Sequence, residues 1–334
     1  MRRARQVVVV TGASAGVGRA AVRAFAARGA DVGLIARGED GLEAARGEVE
    51  AAGGRALVLP LDVADAEAVE AAADRVESEL GPIDVWVNNA MVTVMGRVRD
   101  MSAADFRRVT EVDYLGAVHG TLAALRHMLP RDRGTIVQVG SALAYRAIPL
   151  QSAYCGAKFA LRGFTDSLRT ELLAEGSQVR LTMVQLPALN TPQFGWSKVV
   201  GFDRQPQPVP PIFQPEVAAE AIVFAARSGR REVWVGGMAA TIIAGNKVAP
   251  TVGDRYLART GYDSQFTDQP LAPDRRHNLD EPVPGDHGAH GPFDDRAETR
   301  SPAFELSKHR AWLAAAAAGL GLLGLFAARR SDNG

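Results

Sequence analysis

Tyr154 and Lys158 stand four residues apart in the stretch SAYCGAKFALRGF, so on a helix they share one face. A free phenol titrates near a pKa of about 10 and is a poor base at neutral pH, whereas a neighbouring ammonium favours the phenolate and lowers that value. Such a pair can give or take a proton at a substrate oxygen. Ser141, just beyond the β-branched run Thr135–Val139, ends a strand, where its hydroxyl can hydrogen-bond the same oxygen. Cys155 lies between the pair in sequence but points about 100° around the helix from Tyr154, and is read as packing. An isolated Y-x-x-x-K is usually a core tyrosine beside a solvated lysine, so the weight of this one comes from its company.

The company begins at the N-terminus. Thr11-Gly12-Ala13-Ser14-Ala15-Gly16-Val17-Gly18 follows the run Val7–Val10 and opens a helix. Glycines there permit a tight turn and close backbone approach to a pyrophosphate, and the helix N-terminus offers unpaired N–H groups and the positive end of its dipole. Gly12, Ser14, Gly16, Val17 and Gly18 are therefore candidate cofactor contacts. The spacing is G-x-x-x-G-x-G rather than G-x-G-x-x-G.

With T-G-x-x-x-G-x-G at 11–18, the sequence resembles the short-chain dehydrogenase/reductase family. Asp62-Val63 after the third strand, Asn88-Asn89-Ala90 after the fourth, Ser141 after the fifth and Tyr154-x-x-x-Lys158 on the next helix match in order, over about residues 5–235. The resemblance implies an NAD(P)-dependent oxidoreductase acting on a small-molecule carbonyl or alcohol. It implies that Asp62 and Val63 border the adenine, that Asn89 and Ala90 line the cofactor cleft, and that Lys158 also binds the nicotinamide ribose. It gives Thr191, in Leu186-Pro187-Ala188-Leu189-Asn190-Thr191, a contact to the nicotinamide carboxamide. Asp113, in Val112-Asp113-Tyr114-Leu115-Gly116, stands where the family has an asparagine that serves, largely through its main-chain carbonyl, in a water-linked proton relay from the lysine. Met91 follows Asn88-Asn89-Ala90 where the family has glycine, and narrows the expected mouth. A homodimer or homotetramer is also implied.

Cofactor choice rests on the end of the second strand, Leu34-Ile35-Ala36-Arg37. An NAD enzyme places an acid there for the ribose 2′-hydroxyl, and an NADP enzyme offers a basic group to the 2′-phosphate. No acid is present, and Arg37 can bind phosphate bidentately. NADP(H) is therefore expected over NAD(H), and no metal site is expected.

The elements that must position these groups are legible as alternation. Strands are predicted at Gln6–Val10, Asp31–Ala36, Ala56–Leu59, Val85–Val87, Thr135–Val139, Val179–Val184 and Glu232–Val235, and helices at roughly 17–28, 39–52, 65–80, 102–129, 153–175 and 215–228. This order predicts one α/β domain over residues 1–263, a Rossmann-type doubly wound parallel sheet with ligands at the carboxyl ends of its strands. A loop at 193–215 carries Phe194, Trp196, Phe202, Phe213 and several prolines. It either lids an apolar substrate such as a lipid or steroid-like molecule, or packs its aromatics on the sheet.

Residues 264–308, rich in Pro, Gly, Asp and Arg, read as a flexible, disordered linker. Residues 309–330 then form a candidate transmembrane helix: Ala311–Ala328 carries no charge over 18 residues, about 27 Å as a helix. The alternative is an alanine-rich helix docked on protein. Arg310 and Arg329 flank it, so charge asymmetry does not orient it.

Lys plus Arg and Asp plus Glu both number 38, a zero net charge that argues against nucleic acid as a partner. The single cysteine excludes an intrachain disulfide and fits a reducing compartment. The four valines after the basic start are too short for a secretory segment, so a cytoplasmic domain is expected, membrane-associated through its C-terminal helix. Three functions fit these residues: carbonyl–alcohol redox, a non-catalytic NADP-binding scaffold or redox sensor at a membrane, and a lyase or epimerase on the same fold.

Overall fold

Short β-branched runs with no polar alternation are suited to a sheet buried on both faces, and that is how they fold. The computed structural model describes residues 5–237 and 248–309. Seven strands, β1 (Val7–Thr11), β2 (Asp31–Ala36), β3 (Ala56–Pro60), β4 (Ile83–Asn88), β5 (Thr135–Ser141), β6 (Arg180–Leu186) and β7 (Glu232–Trp234), form one parallel sheet. Its order is β7-β6-β5-β4-β1-β2-β3, reversing between β1 and β4. That reversal opens a crevice at the carboxyl ends of the two strands, the usual ligand position in open α/β sheets.

Helices α1 (Gly16–Ala26), α2 (Glu39–Ala51), α3 (Ala66–Glu79), α4 (Ala103–Thr110), α5 (Gly116–Met128), α6 (Ser152–Ala174) and α7 (Pro215–Ser228) cover the two faces. One core layer packs α1, α2 and α7 against Val8, Val10, Val137 and Val184. The other packs α3, α5 and α6 against Val7, Val9, Trp86 and Ile136. Alternate residues of β1 thus serve opposite layers, as the two-residue strand period requires.

Two expectations change. The single helix expected over 102–129 is α4, a π-helical turn at Glu111–Leu115 and α5. The chain passes so close to the loop after β3 that a Cβ on Gly116 would meet Val63 Cγ2 at 2.6 Å. The segment 264–308 is not a loose linker. Phe266–Pro270 pairs antiparallel with Arg204–Pro206, and Ala297–Glu298 joins Ile212–Phe213. Leu279, Ala289, Phe293 and Phe304 are buried, and a short helix, Pro302–Lys308, follows. A few widely spaced apolar anchors, with arginines satisfying main-chain carbonyls, order a stretch whose composition alone gives no periodic signal. The folded unit therefore runs past residue 263 to the end of the described chain.

Helix α8 (Pro250–Thr260) lies on the surface. Among the described residues no helix is long and apolar enough to cross a membrane. The expected anchor at 309–330 lies, except for its first residue, outside the described residues.

Candidate active site

Two glycines shape the turn between β1 and α1. Gly12 has φ +69° and a Cβ there would meet Ala90 Cα at 2.9 Å, while one on Gly18 would meet the Gly12 carbonyl oxygen at 2.0 Å. The turn is pinned to the end of β4 by Thr11, whose Oγ1 accepts from the amides of Asn89 (2.9 Å) and Ala90 (3.0 Å). Asn89 returns the contact, its side-chain amide donating to the Thr11 carbonyl at 2.9 Å. Below it a buried network fixes Asn88: the Trp86 indole donates to Asn88 Oδ1 (2.8 Å), and the Asn88 amide donates to Thr121 and Gln138, both at 3.0 Å. Thr11 was present in the motif, but its anchoring role follows only from the register of β1 against β4.

From this turn a cavity of about 630 Å³ runs along the carboxyl ends of the strands, within the range of about 300–1,000 Å³ usual for ligand sites. Gly12, Ser14, Gly16, Val17, Arg37, Asp62, Val63, Asn89, Ala90, Thr191, Ser141, Tyr154 and Lys158 all line it. Gly18 and Asp113 do not. Gly18 stands behind the turn, where its missing side chain allows α1 to pack closely. The structure therefore brings the sequence-derived residues to one crevice and places two of them behind its wall.

The far end of the crevice holds the proton-transfer group. Ser141, at the end of β5, accepts from the Leu143 amide at 3.1 Å and hydrogen-bonds the Tyr154 phenol. The Lys158 ammonium donates to the Val139 carbonyl at 3.0 Å and lies 5.5 Å from the centre of the Tyr154 ring. Burial pushes the phenol well above its ordinary value; the Ser141 hydrogen bond works against this and the Asp113 charge works with it. Burial also lowers the Lys158 pKa, with Asp113 opposing. Burial, rather than the Lys158 charge, sets the direction of the shift in the protein without its cofactor. Helical spacing gives adjacency, but depth of burial sets the sign.

Asp113 sits in the π-helical turn, 1% exposed. Its Oδ1 accepts from the Val92 amide at 2.8 Å, and its Oδ2 has no partner among the described residues. Burial raises its pKa to about 7, against the pull of the Lys158 charge, the Val92 hydrogen bond and Arg108. π-helical turns recur at functional sites, and this one carries an ionisable group behind Lys158.

At the opposite end Arg37 follows β2. Its Nη1 donates to the carbonyls of Leu279 (3.2 Å) and Asp280 (2.8 Å), and its Nη2 donates to that of Asn278. Asp62 accepts from the Ala64 amide at 3.0 Å and pairs with Arg108, a residue that sequence reading missed because nothing in α4 marks it. Thr191 closes over the glycine turn: a Cβ on Gly16 would meet its Cβ at 3.4 Å.

The loop at 193–215 contributes Phe194, Trp196 and Phe213 to the cavity, but not Phe202. Phe202 stacks on Phe266 with ring centres 4.9 Å apart, a partner hidden in the supposed linker. The same cavity is also lined by the run Pro208–Pro211 and by Tyr256 and Leu257 of α8. Met91 lines the cavity too. Cys155 is buried and off it, as its helical angle suggests.

The fit to a phosphorylated dinucleotide is close in chemistry: glycines that admit a backbone-hugging ligand, an arginine at the 2′ end, and a hydroxyl, phenol and amine at the other. Comparison with known proteins agrees. Residues 6–197 match a family model described as short chain dehydrogenase. An uncharacterized oxidoreductase of Bacillus subtilis, YxnA, is 33% identical over 97% of this chain and 91% of its own length. A fatty acyl-CoA reductase of Acinetobacter baylyi is 30% identical over 76% of this chain and 83% of its own. An alcohol dehydrogenase from the archaeon Thermococcus sibiricus, complexed with 5-hydroxy-NADP, superposes with a TM-score of 0.59 at 29% identity, over 69% of this chain and 96% of that one.

Proposed function

Because the chain belongs to the short-chain dehydrogenase/reductase family and is an oxidoreductase of that kind, we propose that it interconverts a carbonyl and an alcohol using NADP(H). The observation that carries this reading is the single cavity joining Arg37 and the glycine turn to Ser141, Tyr154 and Lys158. The chemistry that NADP(H) supplies when bound is hydride transfer at the substrate carbon. This chain's residues do the rest. The first-turn amides of α1 beyond Gly16, whose own N–H is taken by the Gly288 carbonyl, hold the pyrophosphate, Arg37 holds the 2′-phosphate, and Asp62 and Val63 border the adenine. Asn89, Ala90 and Thr191 confine the ring. Ser141 orients the substrate oxygen, Tyr154 gives or takes its proton, and Lys158 binds the ribose and resupplies the phenol, with Asp113 behind it. A phenol raised by burial rests in its protonated form, from which carbonyl reduction starts, but it is a weaker acid than a free phenol, so a positive charge beside Tyr154 assists proton transfer in either direction.

The substrate is apolar. Pro208, Val209, Leu257, Leu143 and Ile148 line the cavity that holds Tyr154, and the relative from Acinetobacter is named for a fatty acyl substrate. The test is a carbonyl panel followed by NADPH absorbance, on the full chain with and without detergent, with Tyr154→Phe alongside. Turnover of long-chain or polycyclic carbonyls is expected, and Tyr154→Phe should cut it by orders of magnitude while NADPH binding stays within about twofold. Binding without turnover across the panel would make the protein an NADP-binding scaffold or sensor instead.

A further inference from the structure

The NADP(H) reading leaves one well-ordered element without a role: the stretch from Asn278 to Gly288. It crosses the open side of the crevice at the adenosine end and is fastened to both banks. On one bank Gly288 gives its carbonyl to the amide of Gly16, inside the phosphate-binding turn, at 3.0 Å. Asp286 Oδ1 accepts from Arg19 Nη1 at 3.0 Å, and the Gly285 amide donates to Asp40 at the start of α2 at 2.8 Å. On the other bank Leu279 is 2% exposed in the core layer, and its carbonyl accepts from Arg108 Nε at 3.0 Å. The Asn278 amide donates to the Trp196 carbonyl at 3.0 Å, which ties the same stretch to the loop over the substrate end.

Between these fastenings the chain spans the cavity without filling it. Pro282, Val283 and Gly285 line it together with Gly12, Ser14 and Asp62. Arg37 is divided between the two roles. Carbonyls of Asn278, Leu279 and Asp280 take three of its five N–H donors. These acceptors are neutral, so the guanidinium keeps its charge, and its Nε–H has no partner among the described residues. A guanidinium held by three carbonyls at one edge is already oriented to meet a phosphate at the other, with less freedom left to lose on binding.

We propose that Asn278–Gly288 is a clasp for the phosphorylated adenosine of the cofactor, presenting Arg37 to the 2′-phosphate and slowing dinucleotide exchange. The inference rests on the NADP(H) reading. A dinucleotide beneath the clasp can leave only when the fastenings on one bank open, so loosening them speeds release. Because Arg37 is positioned by the clasp, the loss falls harder on NADPH than on NADH.

The experiment uses the full chain with two variants: Leu279→Asp, which removes the buried anchor, and the exposed pair Asp40→Ala/Asp286→Ala, which frees the opposite bank and spares the core. Trypsin cleavage after Arg275 or Arg276 reports whether the segment has loosened. NADPH dissociation is then read by chasing its bound fluorescence with excess NADP⁺. In the loosened variants release should quicken at least tenfold, and the preference for NADPH over NADH should fall. Unchanged release in a variant whose cleavage has accelerated would overturn the clasp, and tighter NADPH binding would show the segment to be a plug that competes with the cofactor. A segment that neither variant loosens would show that these fastenings do not hold it, which also overturns the proposal. If the unaltered chain does not bind NADPH, the reading beneath the clasp fails first, and that outcome is distinct from the others.

Discussion

Replacing Asp113 by Asn should change how stability responds to pH, by an amount the structure sets. The Asp113 carboxyl is held at about 7 in the folded protein against 3.8 for the free group. Between those values the folded state carries a proton that the unfolded state lacks, so folding stability falls as pH rises, by about 1.4 kcal/mol per pH unit and about 4 kcal/mol across the interval. Asn cannot titrate, so this slope is absent in the variant. Over this interval the folded Asp113 carboxyl is neutral, so the neutral Asn leaves the charge beside Lys158 unchanged, and any loss of packing or of the Val92 hydrogen bond displaces the whole curve without changing its slope. The quantity to measure is therefore the difference between variant and wild type, from urea unfolding at several pH values between 4.5 and 6.5. It should move in favour of the variant by about 1.4 kcal/mol per unit. Two parallel curves would show that Asp113 ionises in the folded protein as it does in water, and would remove it as a proton reservoir behind Lys158.

Three further outcomes are expected. Arg37→Asp removes a charged partner worth about 1.5–3 kcal/mol for each hydrogen bond it makes to phosphate; the NADPH:NADH affinity ratio, measured by fluorescence titration, should fall by about tenfold to a hundredfold, and an unchanged ratio would take Arg37 out of the 2′-phosphate site. Gly18→Ala puts a Cβ 2.0 Å from the Gly12 carbonyl oxygen, so the turn must shift by about 1 Å to restore contact distance and, by the usual cost of overpacking, lose about 1–3 kcal/mol; a variant with wild-type thermal stability and NADPH affinity would contradict this. Deleting 310–334 removes the apolar run Ala311–Ala328; if that run anchors the chain, the full chain should partition into the membrane fraction and the shortened chain should not, and equal partitioning of the two would rule the anchor out.

What the sequence made legible follows a pattern. All seven sheet strands and the flanking helices fell within a few residues of their expected ends, because a doubly covered parallel sheet imposes β-branched runs between amphipathic helices. Most residues that line the crevice were legible for a related reason: in such a fold the crevice opens at strand ends, and strand ends can be counted. Arg108, Thr11 and the wall of Tyr256 and Leu257 were not legible, since each acts through a register or a contact between distant segments. The stretch 264–308 was misread for the opposite reason. Its order rests on isolated anchors such as Leu279 and on arginine-to-carbonyl hydrogen bonds, and neither leaves a periodic trace.

The sign of the Tyr154 shift shows the same limit in electrostatics. Four residues of helical spacing correctly placed an ammonium beside a phenol. The spacing carried no information on how far both groups were withdrawn from water, nor on the carboxyl behind them. Asp113 in place of the family's asparagine puts an ionisable group where an amide would be neutral at every pH. In the proposed relay Lys158 would have behind it a neighbour whose proton affinity lies near 7, in addition to water. A phenol raised by burial and resupplied in this way returns to its protonated form after each transfer. Both effects keep the resting phenol protonated, the form from which carbonyl reduction starts, while the same raised affinity makes it a weaker acid, so the positive charge of Lys158 is what would ease the transfer.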